Sequence, residues 1–486
     1  MAEENLRGKA LRGAGWSFVD NIANKGVSFI VGLVLARLLT PQEYGLIGII
    51  LLFIAVFNTI VDSGFSNALI RKNDVKEIDY NTIFIANMVV SAALFAICYL
   101  SSPYIASFFN EPQLTPLTRV MGIIVIINAF AIIQRTILTK NIDFKIQTKI
   151  SFLASISSGI IGIGMALAGM GVWSLVAQQI SRQLLNTIFL WLWNNWRPKL
   201  QFSIESFKEL FSFGWKLLVS GLLNTIWNEI YQVIIGKYYT AAALGQYTRG
   251  KQFGDIFSSN LTNVVQRVTF PVLSSIQNEK ESLKNGYRKI IKVTMFVAFV
   301  CMLMLAAISR PMIEVLIGSQ WSEAAKMLPI ISFNMTLYPL HAINLNMLQV
   351  QGRSDLFLRL EIIKKCIAII PLCLGIFVGI YWMLWGSVCI GLFAYYINSY
   401  YSGKFLNYSS LSQLKDILPS FTISSTAAVV VYAISYIPLS SFIILPLQLI
   451  VGLIVFIALN DFFKIEEYKE IKRIVQSAIT KVRNGK

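Results

Sequence analysis

The sequence predicts an all-α polytopic membrane protein with about fourteen transmembrane helices. The chain of 486 residues is 55% apolar, only 14% of its residues are charged, and its mean hydropathy is +0.62. Soluble domains contain about 25% charged residues. The apolar runs are also long enough to cross a bilayer, which takes about 20 residues as a helix. A soluble core could not bury this much apolar surface, so the membrane class follows.

A short pattern recurs in the two halves of the chain. The segment ARLLTPQEYG at 36–45 has a counterpart in GKYYTAAALG at 236–245. The first copy ends predicted span one and the second ends predicted span seven, and an offset of six spans gives both copies the same orientation. We therefore expect a parallel repeat whose halves are related by an axis along the membrane normal.

This repeat divides the chain into four predicted regions. They are an N-terminal six-helix lobe at 1–200, a C-terminal six-helix lobe at 201–405, transmembrane helices 13 and 14 at 406–460, and a basic amphipathic cytoplasmic tail at 461–486. The tail has apolar residues at helical spacing among cations, so we expect it to lie on the cytoplasmic surface of the membrane.

The positions of the cations predict the topology. Most of the 42 Lys and Arg residues fall on alternate connections, and one such segment holds Arg135, Lys140, Lys145 and Lys149. The positive-inside rule then places both termini in the cytoplasm, with the protein in the cell membrane. The net charge of +17 thus reflects topology and attraction to anionic lipid, and no nucleic-acid partner is predicted.

The connections leave little room for enzyme chemistry. None exceeds roughly twenty residues, which is too short for a soluble catalytic domain. The sequence has no phosphate-binding glycine loop and no nucleophile elbow, and its five cysteines lie inside spans without metal-ligand spacing. We therefore predict no catalytic residues, no metal site and no enzyme activity.

Polar side chains follow helical spacing in spans one, two, seven and eight. A polar stripe that faced lipid would leave hydrogen-bonding groups unpaired in hydrocarbon. We therefore expect these four helices to face one another across a hydrated cavity. The candidates for its polar lining are Asn21, Asn24, Asn58, Ser220, Asn224, Asn228 and Gln252.

Charged side chains inside the spans are the candidates for substrate and ion binding. A charge at the bilayer centre costs at least about 2.5–3.5 kcal/mol, so such residues are by default candidates for a functional role. The candidates for binding an anionic substrate are Lys25, Lys216, Arg249, Lys251 and Arg182. The candidates for coupling to H⁺ or Na⁺ are Asp20, Asp62, Glu229 and Asp255. No other cofactor is predicted, and pairing between helices, such as Lys25 with Asp20 or Asp62, is the structural alternative.

Several motifs resemble one known family. They are LLTPQEYGLIGI (38–49), DSGFSNALI (62–70), FPVLSSIQ (270–277), IGSQWSEAA (317–325) and LQVQGRSDLFLRLEIIKK (348–365). In this order they resemble the bacterial Wzx-type polysaccharide flippases, especially the teichuronic-acid and colanic-acid exporter-like branch. That family belongs to the MOP exporter superfamily, with the MATE antiporters and the lipid II flippase.

The resemblance implies a fold and an activity. It implies fourteen helices in two six-helix lobes plus two more, alternating access, and a cavity lined by spans one, two, seven and eight. The implied substrate is an oligosaccharide on undecaprenyl pyrophosphate, with polysaccharide synthesis and polymerisation proteins as partners. Arg182 lies on span six and does not match that cavity plan.

Two other functions stay open at the level of sequence. A multidrug-type cation-coupled antiporter of the same superfamily would have a net acidic cavity, whereas cations exceed acids inside the spans here. A membrane polysaccharide polymerase or ligase would need a substantial outside loop with catalytic residues, and the predicted outside loops are short.

Overall fold

The regular structure of the chain is helical. The computed structural model describes residues 24–483, and every regular element in this range is a helix. Packing divides the chain into two compact units, the first ending at Gly245 and the second beginning at Gln246. The prediction of an all-α protein is confirmed.

The first unit contains nine helices among the described residues. They are α1 (24–38), α2 (Pro41–Asp62), α3 (Phe65–Arg71), α4 (Glu77–Phe109), α5 (Leu114–Met121), α6 (Ile123–Lys140), α7 (Phe144–Leu167), α8 (Val172–Trp193) and α9 (Ile204–Tyr238).

Helix α10 (Ala241–Ser275) begins at the end of the first unit and continues into the second. The later helices are α11 (Lys280–Ala307), α12 (Ser309–Ile317), α13 (Ser322–Met335), α14 (Tyr338–Val350), α15 (Ser354–Ile367), α16 (Ile369–Phe377), α17 (Ile380–Leu406), α18 (Ser410–Ala433), α19 (Ser441–Phe462) and α20 (Glu466–Arg483).

Eight helical segments in the described range are long and apolar enough to cross a membrane by length and composition. Helices α8, α9 and α10 have 22, 35 and 35 residues, but their polar and charged side chains lower their hydropathy and keep them out of this group. The class of polytopic membrane protein is confirmed, and the count of fourteen spans stays a prediction.

In the first unit, small residues bring α9 and α2 together. A Cβ atom at Gly214 would lie 2.8 Å from the carbonyl oxygen of Ser63, and one at Gly221 would lie 3.3 Å from a methyl carbon of Thr59. The hydroxyls of Thr59 and Thr225 are 3.2 Å apart. Glycine allows membrane helices to approach this closely. One long face of α9 is therefore occupied by α2.

The N-terminal part of α9 is also held by charge. Lys72, just after α3, lies 2.9 Å from Glu209 and 3.1 Å from Asp79. The hydrogen bond to Glu209 raises the pKa of Lys72. The guanidinium of Arg71 lies 4.5 Å from the centroid of the Phe213 ring.

The two compact units are defined by packing, whereas the two lobes were predicted from the sequence repeat. The predicted lobe boundaries at residues 200 and 405 therefore stay predictions.

The repeated pattern caps two helices. Thr40 precedes α2, where its backbone N–H donates to the Glu43 carboxylate (2.7 Å) and its hydroxyl accepts from the Glu43 backbone N–H. Thr240 precedes α10, and its hydroxyl accepts from the backbone N–H of Ala243 at 3.1 Å. Each threonine thus satisfies backbone donors that a helix leaves unpaired at its start.

The closing glycines of the two copies meet. A Cβ atom on Gly45 would overlap the carbonyl oxygen of Ala241, and one on Gly245 would overlap the carbonyl oxygen of Pro41. Each glycine therefore contacts the first helical residue of the other copy. A reciprocal contact of this kind is typical of a local two-fold relation. The direction of the repeat axis relative to the membrane stays a prediction.

The second unit has a buried polar cluster. The Tyr287 hydroxyl donates to the side-chain oxygen of Asn344 at 2.7 Å, and the Ser402 hydroxyl donates to the same oxygen at 2.6 Å. The Asn344 amide lies 3.3 Å from the side-chain oxygen of Gln413. These four buried residues come from α11, α14, α17 and α18. They therefore join four helices through hydrogen bonds.

The first turns of α20 pack against α11. Lys292 lies 2.7 Å from Glu467 and 3.4 Å from Glu466, and Lys289 lies 2.6 Å from Glu470. Tyr468 makes an edge-on contact with Phe456 of α19. The acidic first turn of α20 therefore contacts the basic start of α11 in the second unit, and the position of the tail on the membrane surface stays a prediction.

The predicted topology gives a direct experimental expectation. Because Lys and Arg concentrate on alternate connections, a reporter fused at Glu111 should be outside the membrane and one fused at Lys280 should be inside. Paired alkaline-phosphatase and fluorescent-protein fusions at both positions measure this. Fusions reporting the same side would contradict the fourteen-span topology.

Candidate functional site

An exposed polar stripe runs along α9. Its members are Lys216, Ser220, Asn224 and Asn228, and all four side chains are exposed. Four-residue steps place neighbours about 6 Å apart along the helix axis, for a total of about 18 Å. Among the described residues no hydrogen-bond or ionic partner engages these side chains. Because α2 holds another face of this helix, the stripe is free to contact water or a ligand.

The described start of α1 carries two more candidates. The hydroxyl of Ser155 on α7 donates to the side-chain oxygen of Asn24 at 3.2 Å, which fixes that amide within the first unit. Lys25 is exposed. Asp20 and Asn21 lie outside the described residues.

An amide ladder, formed by Asn58, Asn128 and Gln183, crosses three helices of the first unit. The Gln183 amide on α8 donates to the oxygen of Asn128 at 2.8 Å, and the Asn128 amide on α6 donates to the oxygen of Asn58 at 3.1 Å. All three side chains are half-buried. The ladder thus places polar groups of α2, α6 and α8 side by side.

Asn128 and Gln183 were not among the residues chosen from sequence. A signal for them existed in the segment QQISRQ at 178–183, which is unusually polar for a membrane span. That segment also contains Arg182, which is half-buried. The neighbouring helix α6 contributes Arg135, whose guanidinium donates to the side-chain oxygen of Asn186 at 3.3 Å.

Two of the candidate coupling acids make local hydrogen bonds. Asp62 accepts from the hydroxyl and the backbone N–H of Ser66, and Ser66 in turn accepts from Thr136 at 3.1 Å. Glu229 accepts from the side-chain amide of Gln232, one turn later on α9. Both carboxylates are half-buried, so water or a small cation would have to compete with these partners.

The second unit carries its candidates at the start of α10. The Arg249 guanidinium donates to the side-chain oxygen of Gln252 and lies 5.9 Å from the centroid of a Trp321 ring. Lys251 and Asp255 are half-buried on the same helix. Arg249 and Gln252 are thus brought together directly.

The other face of α10 packs on α13. A Cβ atom at Gly250 would lie 3.3 Å from the carbonyl oxygen of Ala324, and one at Gly254 would lie 2.8 Å from the sulfur of Met335. The Ser258 hydroxyl donates to the Met335 carbonyl oxygen at 2.8 Å. The close packing of these small residues fixes the rotation of α10, and with it the direction in which Gln252 is exposed.

Comparison with known proteins identifies relatives of this chain. A family model described as "Polysaccharide biosynthesis protein" matches residues 34–326. The teichuronic acid biosynthesis protein TuaB of Bacillus subtilis (strain 168) is 26% identical over 349 residues, which cover 71% of this chain and 72% of that protein. The lipopolysaccharide biosynthesis protein WzxC of Escherichia coli (strain K12) is 22% identical over 377 residues, which cover 76% of each.

A solved structure shares the fold. The lipid II flippase MurJ in an inward closed conformation aligns with a TM-score of 0.70 at 15% identity, covering 95% of this chain and 99% of that one. This likeness shows that the two chains share a polytopic helical fold. Together with the family model, it confirms the resemblance noted from the sequence motifs.

Proposed function

Because the chain belongs to the family of polysaccharide biosynthesis proteins, whose model matches more than half of its length, we propose that it is a lipid-linked oligosaccharide flippase. It moves oligosaccharides on undecaprenyl pyrophosphate across the cytoplasmic membrane for the synthesis of a surface polysaccharide. The observation that carries the proposal is the α9 stripe, a line of exposed side chains that no partner engages among residues 24–483, on a helix that the sequence predicts to span the membrane. Such groups need water or a polar ligand, since hydrocarbon cannot satisfy them.

The chemistry of the stripe suits a glycan. Hydroxyl and amide side chains both donate and accept hydrogen bonds, as sugar hydroxyls do. Ser220, Asn224 and Asn228 can therefore replace part of the water that an oligosaccharide loses on entering the membrane. Lys216 at one end of the stripe provides a cation for a phosphate oxygen.

Transport then follows from alternating access. The glycan and pyrophosphate enter a hydrated space lined by polar side chains while the polyprenyl chain stays in lipid. Alternating access moves the opening from the inner to the outer leaflet, and Asp20, Asp62, Glu229 and Asp255 are the acids available for coupling to H⁺ or Na⁺. Lys25 in the first unit, and Arg249, Lys251 and Gln252 in the second, are the further candidates for binding the substrate. No covalent bond changes, so the protein is a transporter and not an enzyme.

The proposed location and partners follow from the same activity. Both termini lie in the cytoplasm, the polysaccharide synthesis and polymerisation proteins supply and use the substrate, and membrane lipids surround the helices. The net charge of +17 attracts the phosphates of lipids and of the substrate, and no nucleic-acid partner is proposed.

A reconstituted system tests the proposal. Purified protein is placed in liposomes that contain an undecaprenyl-pyrophosphate oligosaccharide with a terminal galactose, and galactose oxidase added outside reports the glycans that reach the outer leaflet. Protein-containing vesicles should expose nearly all of the substrate, and protein-free vesicles about half. Equal exposure in both, with proton-driven efflux of a cationic dye from the same vesicles, would favour the antiporter and contradict the flippase.

Lys216→Ala is expected to slow this transport by at least about tenfold, because a charge-assisted hydrogen bond to phosphate contributes roughly 1.5–3 kcal/mol. The side chain is exposed, so the variant should accumulate and unfold like the wild type. Leu223→Ala on the same helix is the control, since Leu223 is also exposed but apolar. Transport by Lys216→Ala at the control rate would remove Lys216 from the site.

A further inference from the structure

We propose that Arg135 and Arg182, on the neighbouring helices α6 and α8, form a two-arginine site for a pyrophosphate group. The inference rests on the proposed function, because it assigns a second site, besides Lys216, to the charged part of the lipid-linked substrate. It adds a site in the first unit that is separate from the α9 stripe. The charge pattern of the sequence had placed Arg135 among the cations that set topology.

The placement of the two arginines is the first argument. Arg182 lies about 15 Å along α8 from its start at Val172, which puts it near the middle of that helix. Asn186 follows Arg182 by one helical turn, and its side-chain oxygen accepts from the Arg135 guanidinium at 3.3 Å. Arg135 therefore reaches across to the same stretch of α8 that carries Arg182.

The second argument is the lack of an acidic partner. No carboxylate lies within 4 Å of either guanidinium among residues 24–483. The Asp62 carboxylate accepts from Ser66 and forms no ion pair with Arg135 within the described part of the chain. Cations inside a membrane span are costly and by default mark substrate or ion pathways.

Other cations of the first unit show the contrast. Lys72 pairs with Glu209, and Lys199 lies 2.6 Å from Glu77. Lys140 donates to backbone carbonyl oxygens of Leu69 and Lys72. Each of these amines has a protein group that satisfies it, whereas Arg182 has none among the described residues.

The third argument is that hydrogen bonds fix the two helices at this level. The amide ladder joins α8 to α6 and α2 through Gln183, which follows Arg182 directly. One turn later, the Thr187 hydroxyl donates to the backbone oxygen of Ile127 on α6 at 3.2 Å. Fixed helices hold the backbones of the two arginines in a constant relation, which supports binding of one ligand by both side chains.

The chemistry of the pair identifies the ligand class. Each guanidinium is planar, always charged and able to donate two parallel hydrogen bonds to a phosphate. A pyrophosphate offers two adjacent phosphates, one for each arginine. Two guanidinium groups, each with a pair of parallel N–H donors, therefore suit a pyrophosphate better than a single phosphate or a neutral glycan.

Binding of undecaprenyl pyrophosphate without any glycan tests the site. The full-length protein is purified in detergent, and binding is measured by native mass spectrometry, with undecaprenol as the uncharged probe. Arg135→Gln and Arg182→Gln should each weaken pyrophosphate binding by at least about tenfold, as expected for the loss of charge-assisted hydrogen bonds. Undecaprenol binding should stay unchanged. Arg135→Lys and Arg182→Lys should have affinities between those of the wild type and the glutamine variants, because lysine keeps the charge but loses the pair of parallel N–H donors.

Lys149→Gln is the matched control. It removes one exposed cation from the neighbouring helix α7 and should leave binding within about twofold, as for surface substitutions. Glutamine variants that bind undecaprenyl pyrophosphate like this control would overturn the two-arginine site, and so would an equal loss of undecaprenol binding. Wild-type protein that binds in an arginine-dependent way but does not expose glycans in liposomes would keep the site and reject the flippase.

Discussion

Alanine at Gly45 or Gly245 is expected to lower the free energy of unfolding by about 1–3 kcal/mol or more, the cost of overpacking a close contact. A Cβ atom at either position would overlap a backbone carbonyl oxygen, that of Ala241 or of Pro41. Backbone cannot rotate out of the way as a side chain can, so the starts of α2 and α10 must separate. The apparent melting temperature of purified protein in detergent measures the loss.

Gly164→Ala is the control for this prediction. Gly164 lies inside α7, and an added Cβ atom there would meet nothing within 4 Å. Alanine is favoured over glycine in a helix by roughly 0.5–1 kcal/mol, so this variant should be as stable as the wild type or slightly more. Melting temperatures for Gly45→Ala and Gly164→Ala that agree within error would contradict the close contact between the two copies of the pattern.

Asn344→Ala is expected to destabilise the second unit by about 2–4 kcal/mol, because it leaves several buried polar groups without partners. The Tyr287 and Ser402 hydroxyls both donate to the Asn344 oxygen, and the Asn344 amide reaches Gln413. Water does not reach this cluster readily, since all four side chains are buried. Thermal unfolding in detergent and the amount of protein in the membrane fraction both report the effect.

Asn285→Ala removes an exposed amide at the start of α11 and should change stability by less than about 0.5 kcal/mol. The pair therefore compares the same substitution inside and outside the buried cluster. If the Asn344→Ala and Asn285→Ala proteins had the same melting temperature, the cluster would not stabilise the unit.

Local sequence patterns predicted those features that depend on one helix alone. The four-residue spacing of Ser220, Asn224 and Asn228 places them on one side of α9, and the structure leaves all three exposed. The repeated pattern was predicted to end spans one and seven, and its threonines lie between α1 and α2 and between α9 and α10. In each case the cause lies within a few residues, so local periodicity suffices to predict it.

Features that depend on which helices meet were harder to predict. Nothing in the sequence near Asn128 indicates that it would lie between Asn58 and Gln183, because that arrangement needs α2, α6 and α8 to be packed together. Arg135 follows the charge pattern of a connection, and only its hydrogen bond to Asn186 shows that it turns toward α8. The repeat, likewise, relates span seven to span one but does not say which unit α9 packs into.

The ion pairs between α11 and α20 also have a consequence for the timing of synthesis. Lys292 and Glu466 are 174 residues apart in the chain. At a translation rate of 5–20 residues per second, the lysine emerges roughly 9–35 s before the glutamate that pairs with it. Lys289 and Lys292 therefore have no partner on α20 while α11 is inserted, and the positive-inside rule predicts that such cations keep that helix end in the cytoplasm. Once α20 is made, the same lysines pair with its glutamates. We therefore expect each lysine to act twice, first on the orientation of α11 and later on the packing of α20.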